Sequence, residues 1–550
     1  MHHMHSRVLS IRLLIISSLF LGTFLIYREA LSNYFLSDDL DYFYYAAQWT
    51  REGQLVPKLL AEFFSPQNRG AFYYRPFSIF SYGLDYLTWG TNPIGWHLTN
   101  LILHMANVIL LWILVEKIVG SLERQLSCII IGGAAALLFA LRPSFPETVA
   151  WISGRTDELA LLGMLISILS YLRANGQWGP WYLMSLAGFL FALGSKEVGV
   201  TLPGGLVALH LSGAIFSRAK DNEPRWLAWI RQVVNGVGPF ALVLMGYFGL
   251  RFLIFGNPFK VYQVIPPINL SDPAWLAAKL YAIKIFLTQS LNMEFWARSF
   301  LLATIAMLLL SCFAAWRSSA ARRLWVFGTC WLAAELLPLA KQLFISPTGE
   351  GMRLLYIPSA ALVVVIAVPL LPISLSKETQ QRKSLEWSLS VAGAILMVGL
   401  IFLSVPLQRQ WLRPWLFAGQ SMKRLPASIA VRAEKVSENG FAILLIPDHI
   451  DGALFGRNGQ GTLMEPPIQA KLLGDQILVV TPSTLVQHAP RLALSAQRGR
   501  ELEYWCWNIR LQRFEQLFIR GRTIDDWLDA WRSSLRNSGF PELANELEGF

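Results

Sequence analysis

The feature that most constrains this chain is a series of apolar stretches, each long enough to cross a lipid bilayer. A hydrocarbon core about 30 Å thick requires about 20 apolar residues in one helix. The chain has 550 residues, of which 54% are hydrophobic and only 15% are charged. Soluble globular proteins carry about 25% charged residues. The sequence therefore predicts an all-α polytopic membrane protein.

Eleven apolar segments are predicted to span the bilayer. The first is expected to remain uncleaved, because it ends in Tyr27, Arg28 and Glu29 without the small residues of a signal-peptide cleavage site. The predicted spans are residues 8–26, 97–115, 127–141, 158–172, 180–195, 198–216, 233–252, 298–315, 324–341, 354–373 and 387–405.

Basic residues in the connectors set the expected orientation of these spans. The largest basic clusters lie at 218–231, 317–323 and 377–383. Cytoplasmic loops are enriched in Lys and Arg, so we expect all three clusters, and the N-terminus, on the cytoplasmic side. The net charge of +11 thus arises largely from basic residues in the connectors between spans. A nucleic-acid-binding protein would instead gather its basic residues on one soluble face, so we expect no nucleic-acid partner.

Two domains are expected. Residues 1–406 form the multi-span domain, with a first outer loop at 27–96 and a second at 253–297 that contains an amphipathic stretch. Residues 407–550 contain no apolar run of spanning length and are expected to form a small, soluble α+β domain on the extracytoplasmic side. Its predicted elements are strands at 442–446 and 476–480 and a helix over 498–535.

The first outer loop carries an acidic motif, residues 37–41, with the sequence Ser-Asp-Asp-Leu-Asp. Adjacent carboxylates can tune one another's proton affinity or act as a general base toward a hydroxyl. Asp38, Asp39 and Asp41 could also supply oxygen ligands to Mg²⁺ or Mn²⁺. The same residue types suit the N-terminal cap of a helix, so the motif alone leaves these interpretations open.

Other polar residues lie at the outer ends of the predicted spans. His97, Asn100 and His104 share one helix face, where they would either hydrogen-bond between helices or line an outer cavity. The charged residues would either pair and snorkel to the headgroups, or form a basic rim for a phosphate-bearing lipid. These charged residues are Arg75, Glu147, Arg155, Asp157, Lys196, Glu197 and Arg353.

The order of these motifs resembles a known family. It resembles the membrane glycosyltransferases of the GT-C fold and, among them, the protein O-mannosyltransferase superfamily. Within this superfamily, the motifs most resemble those of the transmembrane and TPR-containing O-mannosyltransferases and their bacterial relatives. The resemblance covers roughly residues 8–405. The motifs are the Asp38-Asp39 pair, YRP at 74–76, PxGxHLxNxxLH at 93–104, RPxxxETVAxxxGRTDELA at 142–160, SKE at 195–197 and RxLYxPS at 353–359.

The resemblance implies a hexosyltransferase that moves a sugar from a polyprenyl-phosphate donor to a hydroxyl of a protein or glycan acceptor. It implies a bacterial inner membrane, with the active site facing the periplasm. It assigns Asp38 and Asp39 to catalysis, with an aspartate as general base and inversion at the sugar carbon. The implied donor-phosphate and substrate-binding residues are Arg75, His97, Asn100, Glu147, Arg155, Asp157, Lys196, Glu197 and Arg353.

The chain also departs from the family pattern. Arg142 stands where the family has His, and Met352 stands where it often has Glu. Residues 407–550 lack the 34-residue period of a TPR array. Two other functions are considered: a transporter or flippase of a lipid-linked sugar, which would have related halves and polar residues at span centres, and a catalytically inactive structural relative.

Overall fold

Helices account for most of the structure, which is a computed structural model. Among the residues it describes, strands begin only at residue 440. The described residues are 2–66, 72–120, 125–215, 224–259, 271–290, 294–346, 348–371, 380–474, 476–485, 487–488, 501–517, 524–537 and 544.

The predicted helical architecture is confirmed, since a helix covers most of each of the eleven predicted spans. The helices up to residue 433 are α1 (His2–Tyr27), α2 (Asp38–Arg51), α3 (Leu55–Ala61), α4 (Pro76–Trp89), α5 (Pro93–Gly120), α6 (Gln125–Ala140), α7 (Pro146–Val149), α8 (Arg155–Ala174), α9 (Pro180–Ser195), α10 (Leu202–Ser212), α11 (Arg225–Phe255), α12 (Pro273–Thr288), α13 (Phe295–Arg317), α14 (Ser319–Gln342), α15 (Tyr356–Ala367) and α16 (Gln380–Ala433).

The chain is an integral membrane protein. Six helical segments in the described part of the chain are long and apolar enough to cross a membrane. They are Leu9–Ser32, Pro93–Val119, Arg225–Phe255, Phe295–Arg317, Met352–Leu370 and Trp387–Ala433.

Both long outer loops contain helices. The first loop holds α2, α3 and α4, and Pro76 begins α4 at a position where a missing N–H costs nothing. The stretch predicted to be amphipathic in the second loop forms helix α12, but its apolar residues are spread around the helix and not gathered on one face. Its cap Asp272 accepts the Ala274 N–H at 2.9 Å. The described parts of these two loops thus contain short helices, and the acidic motif lies at the start of α2.

Helix α16 runs from the membrane segment into the C-terminal region without a break, so the domain boundary expected at residue 406 falls inside one helix. It also contacts the segment that follows α1. The Asn33 side chain donates to the Trp415 carbonyl at 3.2 Å, and a Cβ at Gly419 would lie 2.6 Å from Asn33 Cγ. Helix α16 therefore holds in place the segment at Asn33, which leads from α1 to the acidic motif.

The C-terminal region contains a four-stranded sheet in the order β4-β1-β5-β6, where β1 is parallel to β4 and β5. The two predicted strands are confirmed as β1 and β4. The strands are β1 (Gly440–Leu445), β2 (His449–Ile450), β3 (Ala453–Leu454), β4 (Ile477–Val480), β5 (Glu501–Asn508) and β6 (Arg513–Leu517), and helix α17 follows at Ile524–Asn537.

The predicted helix over 498–535 is wrong in its first part, which forms the antiparallel pair β5 and β6. Strand β5 has apolar neighbours on both faces. Tyr504 packs edge-on against Trp531 of α17, whereas Trp507 donates to Ser421 of α16 at 3.1 Å. The consecutive residues Tyr504 to Trp507 of β5 contact apolar partners on opposite faces, so this part of the strand lacks the apolar–polar alternation that identifies strands. Its aromatic residues therefore imitate helical spacing.

Candidate active site

Asp39 joins the first outer loop to the loop after α6. Its Oδ1 accepts the Ser153 N–H at 2.8 Å and the Ser153 hydroxyl at 2.5 Å, and its Oδ2 accepts the Leu36 N–H at 3.1 Å. The carboxylate is buried. Both of its oxygens are therefore committed to hydrogen bonds within the protein.

Burial raises the pKa of Asp39 to about 7, even though the hydrogen bonds from Ser153 and Leu36 lower it. The neighbouring charge of Asp38 acts in the same direction as burial. The charge of each carboxylate thus affects the proton affinity of the other, which is one of the interpretations that the motif left open.

Asp38 lines a cavity of about 490 Å³. The Asn458 side-chain amide of the C-terminal region donates to its Oδ1. Burial raises the pKa of Asp38, while the Asn458 hydrogen bond and the charges of Arg353, Arg457 and Arg75 lower it. Other cavity-lining residues are Asp41, Tyr42, Tyr45, Trp49, Glu62, Tyr73 and Tyr82.

Arg75 is held by Glu197, which lies two residues after the end of α9. Arg75 Nε and Nη2 donate to Glu197 Oε2 at 3.0 and 2.7 Å, and the guanidinium lies 4.1 Å from the Tyr73 ring centre. Burial alone would raise the pKa of Glu197, but the charge and hydrogen bonds of Arg75, aided by Arg251, hold it below its ordinary value. The pair is therefore ionised and oriented.

Arg353 is held in a similar way by Glu147. Glu147 accepts the backbone N–H of Arg353 at 2.8 Å and that of Gly351 at 3.2 Å, and it forms an ion pair with the Arg353 guanidinium. Glu147 is buried, whereas the Arg353 side chain is 21% exposed. This cation therefore remains accessible to a ligand.

A second group of predicted site residues is buried and links helices. Arg155 pairs with Asp85 at 2.5 Å and donates to Asn100 Oδ1 at 2.8 Å and to the Trp96 carbonyl at 2.9 Å. Arg155 has no solvent exposure, and His97 is also buried. The contacts of Arg155 therefore hold α4, α5 and α8 together. Arg155, Asn100 and His97 do not line the cavity of Asp38.

Two further predicted residues form a separate buried pair, in which Lys196 Nζ lies 2.5 Å from Asp157 Oδ2. His104 lies 2.8 Å from the Tyr356 hydroxyl, so this member of the polar stripe makes an interhelical hydrogen bond. The structure thus gathers Asp38, with Arg75 and Arg353 nearby, at one place. Glu197 and Glu147 hold these two arginines, whereas Arg155, Asn100, Asp157 and Lys196 make buried supporting contacts elsewhere. His97 is buried away from the cavity.

Sequence reasoning missed Asn458 and Arg457, which approach the acidic motif from the C-terminal region. Both lie between Gly456 and Gly459, in a segment whose composition indicates only a turn. It also missed Asp85 and Ser153, the partners of Arg155 and Asp39. Single polar residues carry no periodic signal, so spacing could not have identified them.

The residues expected to bind a divalent cation do not form a ready ligand set. In the described ranges, no group of three His, Cys, Asp or Glu residues is placed to hold a metal ion. Both oxygens of Asp39 already accept protein hydrogen bonds.

No family model matches this chain. It is 26% identical over 385 residues to the mouse protein O-mannosyl-transferase TMTC4, covering 60% of this chain and 50% of the mouse protein. It is 33% identical over 130 residues to the fruit-fly protein O-mannosyl-transferase Tmtc1, covering 23% of this chain and 14% of the fly protein. The resemblance to the O-mannosyltransferases is confirmed. The chain spans half or less of the length of these O-mannosyltransferases.

A structural comparison finds ArnT from Cupriavidus metallidurans, crystallised with undecaprenyl phosphate. The match covers 90% of this chain and 95% of ArnT, with 13% sequence identity and a TM-score of 0.44. The same protein in the apo state gives a TM-score of 0.42 with 14% identity.

Proposed function

We propose that this chain is a membrane glycosyltransferase that moves a sugar from a polyprenyl-phosphate donor to an acceptor hydroxyl on the extracytoplasmic face. The observation that carries the proposal is the position of Asp38, which lines a cavity. The charges of Arg75, Arg353 and Arg457 act on its carboxylate and lower its pKa. A carboxylate that accepts a proton beside cations that hold a phosphate is what this transfer requires.

Asp38, rather than Asp39, is the general base. The oxygens of Asp39 are filled by Ser153 and Leu36, whereas Asp38 faces the cavity. The acceptor hydroxyl gives its proton to Asp38 as its oxygen attacks the anomeric carbon. The bond from that carbon to the phosphate oxygen breaks, and the electron pair leaves with the phosphate. A single displacement of this kind inverts the anomeric centre.

Arg75 and Arg353 receive the leaving phosphate. Each guanidinium is oriented by a glutamate, Glu197 or Glu147, so little reorganisation is needed when negative charge develops on the leaving oxygen. Arg is suited to this task because its planar group donates two hydrogen bonds to phosphate oxygens.

The cavity is suited to a sugar. Its walls combine aromatic rings, including Tyr42 and Trp49, with the carboxylates of Asp41 and Glu62. Sites for small molecules pair apolar faces with a few well-placed polar groups in this manner. Following the family resemblance, we propose that the donor is a hexose on a polyprenyl phosphate and that the acceptor is a protein or a glycan. The proposed location is a bacterial inner membrane, with the cavity facing the periplasm.

The test compares Asp38→Asn with Asp39→Asn in membranes supplied with labelled polyprenyl-phosphate sugars. Base catalysis contributes about 10²–10⁴-fold, so Asp38→Asn should reduce transfer by roughly 100-fold or more. Its melting temperature in detergent should stay near that of the wild type, because the new amide oxygen can still accept the Asn458 hydrogen bond.

Asp39→Asn should instead lower the melting temperature, because an amide would present a donor to at least one of three protein donors. Full transfer by Asp38→Asn would show that the base assignment is wrong. Wild-type membranes that neither transfer nor hydrolyse any donor of the panel would favour the inactive relative.

A further inference from the structure

We infer that the C-terminal region completes the catalytic centre: the turn at residues 455–459 closes over the acidic motif, and Asn458 is a positioning residue for the Asp38 carboxylate. The inference rests on the proposed function, since it concerns the group named there as the base. It assigns a role to a region in which sequence analysis found only a small α+β fold.

Three hydrogen bonds join the turn to the acidic motif. The Asn458 side chain donates to Asp38 Oδ1, and the Asn458 N–H donates to the Ser37 hydroxyl at 3.3 Å. In the opposite direction, the Ser37 N–H donates to the Phe455 carbonyl at 2.8 Å. The turn therefore contacts both the backbone and the side chains at the start of α2.

The steric fit is equally close. Gly459 has a φ of +72°, and a Cβ there would lie 2.8 Å from both Leu40 Cβ and the Ser37 carbonyl oxygen. Ser37 itself has a φ of 49°, a conformation that residues other than glycine rarely adopt. Such conformations persist where the surroundings stabilise them, and here the turn supplies those contacts.

The same region also holds the segment that carries Arg353. Arg457 forms an ion pair with Glu350. Gly452 packs so closely on this segment that a Cβ there would lie 1.9 Å from the Thr348 carbonyl oxygen. One docked region thus contacts both the proposed base and the loop of a proposed phosphate-binding cation, and it can set the distance between them.

Asn458 is the hydrogen-bond donor that reaches the Asp38 carboxylate from the turn. By engaging Oδ1 it fixes the orientation of the group and leaves the second oxygen to the acceptor hydroxyl. It also favours the ionised carboxylate that a base requires. The charged or titratable groups that act on Asp38 or respond to it are Asp39, Asp41, Tyr42, Arg75, Tyr82, Arg353 and Arg457.

The experiment measures transfer against pH for full-length Asn458→Ala and Asn458→Gln. Loss of a hydrogen bond to a charged group should lower kcat roughly tenfold. It should also move the acidic limb of the pH profile to higher pH, since the carboxylate loses a group that lowers its pKa. Asn458→Gln keeps the amide, so its acidic limb should lie nearer to that of the wild type.

Tyr44→Phe is the matched control. It removes a 2.6 Å hydrogen bond between α2 and Glu465, another contact with the C-terminal region, without touching Asp38. It should leave the acidic limb unchanged. A wild-type pH profile and rate for Asn458→Ala, or the same shift in Tyr44→Phe, would overturn the inference.

The outcomes also separate the inference from the proposed function. If Asp38→Asn is inactive but Asn458→Ala is normal, only the role of Asn458 is lost. If Asp38→Asn is fully active, the proposed base is wrong and the inference falls with it. Melting temperatures of all variants show whether a lost rate reflects a chain that has not folded.

Discussion

Two neighbouring aspartates have different surroundings, and the proposed function gives them different roles for that reason. Asp38 and Asp39 are adjacent in the first turn of α2, yet Asp39 accepts hydrogen bonds from Ser153 and Leu36 whereas Asp38 lines a cavity. The side chains are chemically identical, so burial and hydrogen bonding decide which one can exchange a proton with a substrate. The assignment of the base depends on this difference.

Asp41 permits a test of the electrostatics of the cavity. Burial, and then the charge of Asp38, raise its pKa from 3.8 to about 7. A raised pKa means that the fold favours the protonated acid. This contribution to stability is fully present below the ordinary pKa and is lost as pH rises through about 7.

Asp41→Asn stays neutral at every pH, so its melting temperature relative to the wild type should be more favourable at pH 8 than at pH 5. Thermal unfolding in detergent at the two values checks this expectation. Asp529→Asn, which removes an exposed carboxylate far from the cavity in sequence, is the control measured at the same two values. An Asp41→Asn effect that does not depend on pH would contradict the proposed burial of charge.

At the scale of the elements, helices α8 and α9 pack closely against each other at two glycines, Gly163 and Gly188. A Cβ at Gly163 would lie 2.7 Å from the Gly188 carbonyl oxygen, and one at Gly188 would lie 2.8 Å from that of Gly163. Ser167 and Ser185 exchange hydrogen bonds of 2.7 and 2.8 Å beside them. Small residues allow this close packing of helices in membranes.

Gly163→Ala should therefore destabilise the protein by about 1–3 kcal/mol, since the new methyl group meets backbone atoms that cannot rotate away. Gly246→Ala in α11 is the matched control. A Cβ there meets nothing within 4 Å, so stability should be unchanged or slightly higher. Equal melting temperatures for the two variants would contradict the close packing.

At the scale of the whole molecule, the open question is which side of the membrane the cavity faces. The acidic motif and the C-terminal region meet at one end, through the contacts of Asp38 with Asn458 and of Tyr44 with Glu465. The connector between α8 and α9, near Gln177, belongs to the expected cytoplasmic side. The basic clusters predict that the end with the cavity faces outward.

Cysteine labelling tests this orientation after the four native cysteines are replaced by serine. A membrane-impermeant maleimide should label Glu438→Cys from outside intact cells, because Glu438 is exposed in the C-terminal region. Gln177→Cys, also exposed, should be labelled only after permeabilisation. The reverse pattern would place the cavity in the cytoplasm and exclude the proposed donor geometry.

The sequence by itself determined the helical segments and the chemistry gathered near their outer ends. The length of an apolar run and the distribution of Lys and Arg are local properties of the chain. An apolar run is stabilised by lipid whichever helices pack beside it, so tertiary contacts are not needed to predict a span. The acidic motif was visible for the same reason, because Asp38 and Asp39 are adjacent in the chain.

Only the tertiary structure decided which polar residues face a cavity and which hold helices together. Asp38 and Asn458 are 420 residues apart, and Arg353 and Glu147 are 206 apart. Contacts over such separations depend on how helices pack, and neither spacing nor composition encodes them. Strand β5 is the same case, because Tyr504 and Trp507 meet apolar partners on opposite faces and the run between them lacks the alternation that would have identified a strand.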